Sequence, residues 1–314
     1  MSEFARMKPK KDKDDYEALP GRRNSKATRI SAYVALAGFL LATLYPFWFM
    51  VRTAFSTTRK LSSDPLSILP VDFTTGAFER VLGLASTDEA VAEGGSGQSL
   101  NFIQYMFNSL VSTTGATVSQ VIFSAAAAYA FGVLSWKGRD AVFFLFLFAL
   151  TVPAIFLVLP NYLFVRELGL LNTLAGVMAP HMLMAPFAVF FLRQVFLSTN
   201  LSIVEAAIID GASHMRIFFQ IVLPMARSQV ITVFILQYIT IWNDYLWPLY
   251  VGSSEESSRT LTVALGVFKS QTPQGSPDWA GLMAGSLLAA LPMMILMLFL
   301  GRRIVGSIQD SAVK

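Results

Sequence analysis

The chain of 314 residues contains no cysteine and two histidines, and only 14% of its residues are charged. Without thiols it forms no disulfide, holds no metal through thiolate and has no cysteine nucleophile, so it is silent about redox compartment. His181 and His214 fall in different segments, so no metal cluster can be assembled from them. No G-x-x-x-x-G-K-[ST] loop is present to cradle nucleotide phosphates. Gly94-Gly95-Ser96-Gly97 does not fit the G-x-S-x-G elbow of a serine hydrolase. No residue is assigned a catalytic role, and nothing points to nucleic acid. Soluble domains carry about one quarter charged residues. Here the deficit comes from six stretches of roughly 20 residues or more, five uncharged and one interrupted only by Asp244, which exclude both a soluble globular protein and a disordered one.

What remains is apolar: 54% hydrophobic residues, including 26 Phe and 13 Met. A helix needs about 20 apolar residues to cross the hydrocarbon core. That length predicts an all-α membrane protein with spans at about 30–51, 104–136, 141–165, 168–192, 228–250 and 279–301. Pro153 and Pro160 are expected to kink the third span, and Pro180, Pro186 and Pro292 lie in later ones. Seventeen of the 24 basic residues fall in segments 1–29, 135–140, 193–227 and 302–314. The positive-inside rule therefore places both termini and the 193–227 loop in the cytoplasm. Residues 1–29 read as a cytoplasmic tail rather than a cleaved signal, because the apolar run starts only at Ile30 and is long enough to span. Arg22, Arg23, Lys26 and Arg29 serve either as an anchor of orientation or as a contact to lipid headgroups. Residues 302–314 form the second tail, and Glu93 to Ser99 reads as a flexible Gly/Ser insertion.

The 193–227 loop is too patterned for a linker. Ser202-Ile203-Val204-Glu205 fits a capping box, starting a short helix that ends at Gly211. A second apolar run, Met215 to Leu223, stops at Pro224. This helix–turn–helix is expected to present Ile209, Ile217, Phe218 and Phe219 as a docking surface outside the bilayer.

Glu205-Ala206-Ala207-Ile208-Ile209-Asp210-Gly211, with Leu223-Pro224 twelve residues after the glycine, resembles the "EAA" loop of ABC importer inner-membrane permeases. Tyr45-Pro46, Asn108-Ser109-Leu110, Ala127-Ala128-Tyr129-Ala130, Trp136-Lys137-Gly138-Arg139, Leu168-Gly169-Leu170-Leu171-Asn172-Thr173 and Trp242-Asn243-Asp244-Tyr245 resemble the carbohydrate-uptake branch, and in particular its MalG-like subunits. The resemblance covers roughly residues 30–314. It implies the type I importer permease fold in a bacterial inner membrane. It also implies a second permease, two ATP-binding cassette ATPase subunits and an extracytoplasmic solute-binding protein as partners. ATP and Mg would be used by the ATPases, with no cofactor bound by this chain. Glu205, Ala206, Ala207, Asp210, Gly211, Ile217, Phe218, Leu223 and Pro224 would form the ATPase-coupling element, and 252–278 would reach toward the binding protein. Relatives often carry Pro and acidic residues before the motif where this chain has Asn200 to Val204, so no electrostatic help is expected there. The cargo implied is a sugar or oligosaccharide. A glycerol-phosphate or polyol importer of the same family is one alternative, and an ion-coupled secondary transporter is another.

Asp244 is the one acid within an expected span and lies toward its outer end. With Trp242, Asn243 and Tyr245 it suits either the translocation path, where rings stack on sugar faces and polar groups meet hydroxyls, or an interfacial aromatic belt with a capping acid. Gln120 in span two and Asn161 and Tyr162 in span three are further path candidates. Ser112, Ser119 and Ser124 lie near Gln120, and Ser124, Ala128 and Gly132 form a small-residue seam. His181 reads as a packing residue.

Overall fold

The computed structural model describes residues 26–61, 63–95, 100–198, 201–270 and 277–312. The tail up to residue 25, residues 96–99 of the Gly/Ser stretch and the Thr272–Gly275 portion of the outer loop lie outside the described residues. The chain divides into two units, Met1–Phe49 and Met50–Lys314.

The elements in order are α1 (Lys26–Ala54), α2 (Gly76–Val81), α3 (Thr87–Ala92), α4 (Phe102–Gly132), α5 (Arg139–Phe148) and α6 (Ile155–Glu167). Then follow α7 (Leu174–Met178), α8 (Pro186–Leu197), α9 (Leu201–Ile209), α10 (His214–Ile217), α11 (Leu223–Met225), α12 (Arg227–Trp242), α13 (Leu246–Gly252), α14 (Leu261–Ser270) and α15 (Trp279–Ala312). Among the described residues there is no strand, only an antiparallel bridge between Ser56 and Phe73. α1, α4 and α15 are each long and apolar enough to cross a membrane, and three bent helix pairs raise the number of possible spans to six.

α1 is apolar on all sides and exposed from Lys26 to Phe49, as expected of a helix whose solvent is lipid. It begins at Lys26, so Lys26 and Arg29, expected in the tail, are already helical. α15 likewise continues to Ala312, through most of the expected C-terminal tail.

Three expected spans are broken instead of continuous. Helices 139–151 and 154–167 meet at 99° around Pro153, which has no amide to donate to the preceding turn. Pro160, the other expected kink, sits inside α6. Residues 168–173, expected to open span four, form a turn instead. Gly169 and Asn172 have φ of 68° and 56°, and the amides of Gly169 and Leu170 close the C-terminus of α6 on Arg166 and Val165. The span then runs through α7, a 3₁₀ turn at Ala179–His181, non-helical residues 182–185 and α8, whose first residue is Pro186. In span five, α12 ends at Trp242 and α13 starts at Leu246, so Asp244 stands in a break and not inside a helix.

α4 lies against α7, α8 and α12 and supplies side chains to these breaks. Ser119 Oγ donates to the Met182 carbonyl at 2.6 Å, and Ser124 Oγ accepts from the Ala185 amide at 3.0 Å. Ser109 Oγ accepts from the Leu261 amide at 2.8 Å, and Asn108 Nδ2 donates to the carbonyls of Glu256 and Arg259. The seam of Ser124, Ala128 and Gly132 allows α8 this close: a Cβ on Gly132 would already touch Arg193 and Phe196. At the C-terminus of α4, Arg193 donates to the Phe131 carbonyl and to Asp140 and lies over the Phe143 ring. Arg139, beside Asp140, holds that carboxyl below the usual carboxylate range.

The segment between α1 and α4 is fastened to α15 by buried charge. Arg80 pairs with Glu93 and with Asp278, the latter at 3.1 Å, and Asp278 also accepts from Thr58 Oγ1 and the Gly281 amide. The Arg80 and Asp278 side chains are 2% and 0% exposed. Removing one partner of a buried pair strands the other charge at a cost of about 3–5 kcal/mol. Arg80→Met is expected to lower the unfolding free energy by about that amount, read as a lower melting midpoint in detergent. A midpoint equal to wild type would show that the pair does not fasten this segment.

Candidate functional site

Two clusters hold most of the residues expected to be functional. The first is the 201–225 loop. α9 turns Val204 and Ala207 inward and exposes Ser202, Glu205, Ala206, Ile209 and Asp210 on the opposite face. Ser202 lies inside the helix, which begins at Leu201, so it is not the N-cap of a capping box. Gly211 ends α9 with φ of 78°. Its amide bonds to the Ile208 carbonyl and that of Ala212 to Ala207, the paired closure that favours glycine at this position. A Cβ on Gly211 would meet nothing within 4 Å, so its conformation, not crowding within the chain, requires glycine.

The second run does not stop at Pro224. α10 passes through a π-helical turn, Phe218–Val222, into α11, which contains Pro224. The wider turn accommodates a residue that has no amide for the turn behind it. Ile217 and Phe218, expected on the docking surface, are buried at 0% and 4% exposure, whereas Phe219 is half exposed and Ile209 is 85% exposed. Leu223 packs against the same core as Ile217. That core also holds Val204, Tyr129 of α4 and Leu192 and Phe196 of α8, so the loop is keyed into the bundle.

The second cluster surrounds the break at Asp244. The Asp244 carboxylate accepts from the Trp247 amide at 3.4 Å, in the first turn of α13, and its Oδ2 lies 3.5 Å from His181 Nε2. Its carbonyl accepts from Thr262 Oγ1 at 2.9 Å. Ser109, Ser112 and Thr113 of α4 line the same pocket, whose free space is about that of one water. Trp242 is buried and stacked on Tyr238, and Asn243 donates to the Ile239 carbonyl of its own helix. Tyr245 is exposed and lies against Gly266.

The other path candidates are not brought to this pocket. Tyr162 packs near Val165, Trp247 and Val251, and Asn161 is half-buried on α6. Gln120 is buried, with its side-chain oxygen facing no donor among the described residues. Sequence reasoning took His181 for packing and did not place it beside Asp244, where its Nε2 stands 3.5 Å from the carboxylate without a hydrogen bond. The signal was available: polar groups in apolar runs are costly and gather in the bundle interior.

Residues 102–310 match the family described as the binding-protein-dependent transport system inner membrane component. The chain belongs to this family. It is 31% identical over 290 residues to the inner membrane ABC transporter permease protein YcjP of Escherichia coli (strain K12), covering 91% of this chain and 97% of that one. It is 36% identical over 197 residues to the arabinooligosaccharides transport system permease protein AraQ of Halalkalibacterium halodurans, covering 63% of this chain and 69% of the relative. Its fold is shared with a chain in the crystal structure of a bacterial ABC transporter involved in the import of the acidic polysaccharide alginate. The TM-score is 0.70 at 24% identity, covering 89% of this chain and 97% of that chain. The chain is thus an inner-membrane permease subunit of an ABC importer.

The break at Asp244 yields a stability test. Asp244→Ala removes the oxygen that receives the Trp247 amide and is expected to cost about 1 kcal/mol, the usual value of a lost cap. Asp244→Asn keeps an oxygen there and should stay within about 0.5 kcal/mol of wild type. Thermal unfolding of the two variants separates them, and equal losses would exclude the capping role.

Proposed function

We propose that the chain forms one half of a sugar or oligosaccharide path and takes its driving force through the 203–224 loop. The other half is a second permease, two ATP-binding cassette ATPases bind and hydrolyse MgATP, and an extracytoplasmic binding protein delivers the solute. The observation that carries the reading is the two-faced α9. One face, with Val204 and Ala207, is built into the bundle core, while Glu205, Ala206, Ile209 and Asp210 are left open outside it. A helix tied to the bundle on one side and offering mixed apolar and acidic groups on the other suits a partner that must push and pull. A carbohydrate cargo is supported by AraQ, whose name specifies arabinooligosaccharides.

The test is affinity purification of the complex from membranes, followed by ATPase stimulation with binding proteins loaded with different sugars or with glycerol phosphate. Recovery of an ATPase subunit with sugar-dependent stimulation is expected, and stimulation by glycerol phosphate but by no sugar would overturn the carbohydrate reading. In reconstituted vesicles Gly211→Pro should abolish ATP-dependent uptake while the protein still inserts. Proline can neither reach φ of 78° nor donate the amide that closes α9. Normal uptake by this variant would remove the loop from the coupling mechanism.

A further inference from the structure

We infer that Tyr129 and His214 form a directional pin that passes movement of the coupling loop into α4, an inference that rests on the loop's proposed coupling role. Tyr129 lies in the last turn of α4 and is 5% exposed. Its hydroxyl is 3.2 Å from Nδ1 of His214, the first residue of α10, and donates when the imidazole is neutral with its proton on Nε2. The Tyr129 ring also lies against Phe218 in the π-helical turn, with centroids 5.4 Å apart. The surrounding cluster, including Val204, Ile217, Leu192 and Phe196, is apolar.

The polar contact matters because apolar burial is non-directional. It resists separation of loop and bundle but does little against sliding or rotation between them. A hydrogen bond constrains both distance and angle. Tyr129 sits on a helix of 31 residues with no proline, which extends from this contact to Ser112 in the pocket beside Asp244. Seventeen residues at 1.5 Å each separate the two, about 26 Å. One rigid element thus connects the loop to the pocket, and Tyr129 is the residue through which a rotation of α10 reaches it. Tyr129 is here a positioning residue, since it touches no solute.

The experiment compares complexes reconstituted with the ATPases and binding protein, measuring solute moved per ATP hydrolysed beside the melting midpoint. Tyr129→Phe keeps the ring on Phe218 and removes only the hydroxyl. His214→Ala removes the acceptor, and His214→Asn places an amide oxygen near the Nδ1 position. The expected result is a fall of about fivefold in transport per ATP for Tyr129→Phe, for His214→Ala and for the two combined, the equivalent of one hydrogen bond. His214→Asn should recover most of it, with midpoints unchanged. A wild-type ratio in Tyr129→Phe overturns the inference, as does a double variant whose loss is the product of the single losses. A wild-type complex that hydrolyses no ATP overturns the coupling reading itself, and the inference with it.

Discussion

Backbone amides and carbonyls in hydrocarbon have no water to turn to, and an unpaired group there costs several kcal/mol. An unbroken helix avoids the problem, but this chain breaks three of its apolar runs. At the break in span four it can do so because α4 remains continuous and meets the freed groups with Ser119 and Ser124, and higher up Asn108 and Ser109 do the same for the 256–261 segment. The composition that sets α4 apart, rich in Ser, Thr, Ala and Gly, is therefore not a weak version of a lipid-facing span. It closes the break at residues 182–185 and lines the pocket at Asp244 with Ser109, Ser112 and Thr113.

The same helix gives the two clusters a common frame. Its N-terminal half lines the pocket shared with His181 and Asp244, and its C-terminal turn meets the loop through Tyr129. α8 is fixed to α4 by the small-residue seam and by Arg193, whose guanidinium spans Phe131, Asp140 and Phe143. A displacement entering through α9 and α10 therefore meets a packed body, not a set of independent helices. Dense packing of this kind moves between discrete arrangements and does not deform smoothly.

The number of apolar runs was legible in the sequence because length and absence of charge are all a span requires. The breaks were harder to see. Pro46, Pro160, Pro224 and Pro292 are absorbed within helical segments, while Pro153 sits at a sharp bend, and sequence alone does not tell which of these a neighbour will relieve. Asp244 was identified as exceptional but placed in a helix, since hydropathy averages over a three-residue interruption. The EAA motif located the loop, yet its outward face was misread at Ile217 and Phe218. Both are apolar, and composition does not tell whether such a residue faces a partner or the chain's own bundle, where Val204, Leu192 and Phe196 enclose them. Gly211 was legible as a helix stop, and its φ and paired amides give the reason.

The two faces of the loop also set an order of strengths. In the coupling role proposed above, the loop must hold to its own bundle more firmly than to the partner that drives it. Fully burying a Val, Ile or Phe side chain contributes roughly 1.5–3 kcal/mol, and Val204, Ile217 and Phe218 are each at least 96% buried. The inner attachment is therefore worth several kcal/mol before Tyr129 is counted. The outer face offers Ile203, Ile208, Ile209, Met215 and Phe219 among Glu205, Asp210 and Arg216, an open surface that mixes apolar side chains with charge. Exposed charge pairs contribute little each and weaken with salt. An outer contact of that kind can form and release in every cycle while the inner attachment stays intact, which is the asymmetry a coupling element between a motor and a membrane path requires.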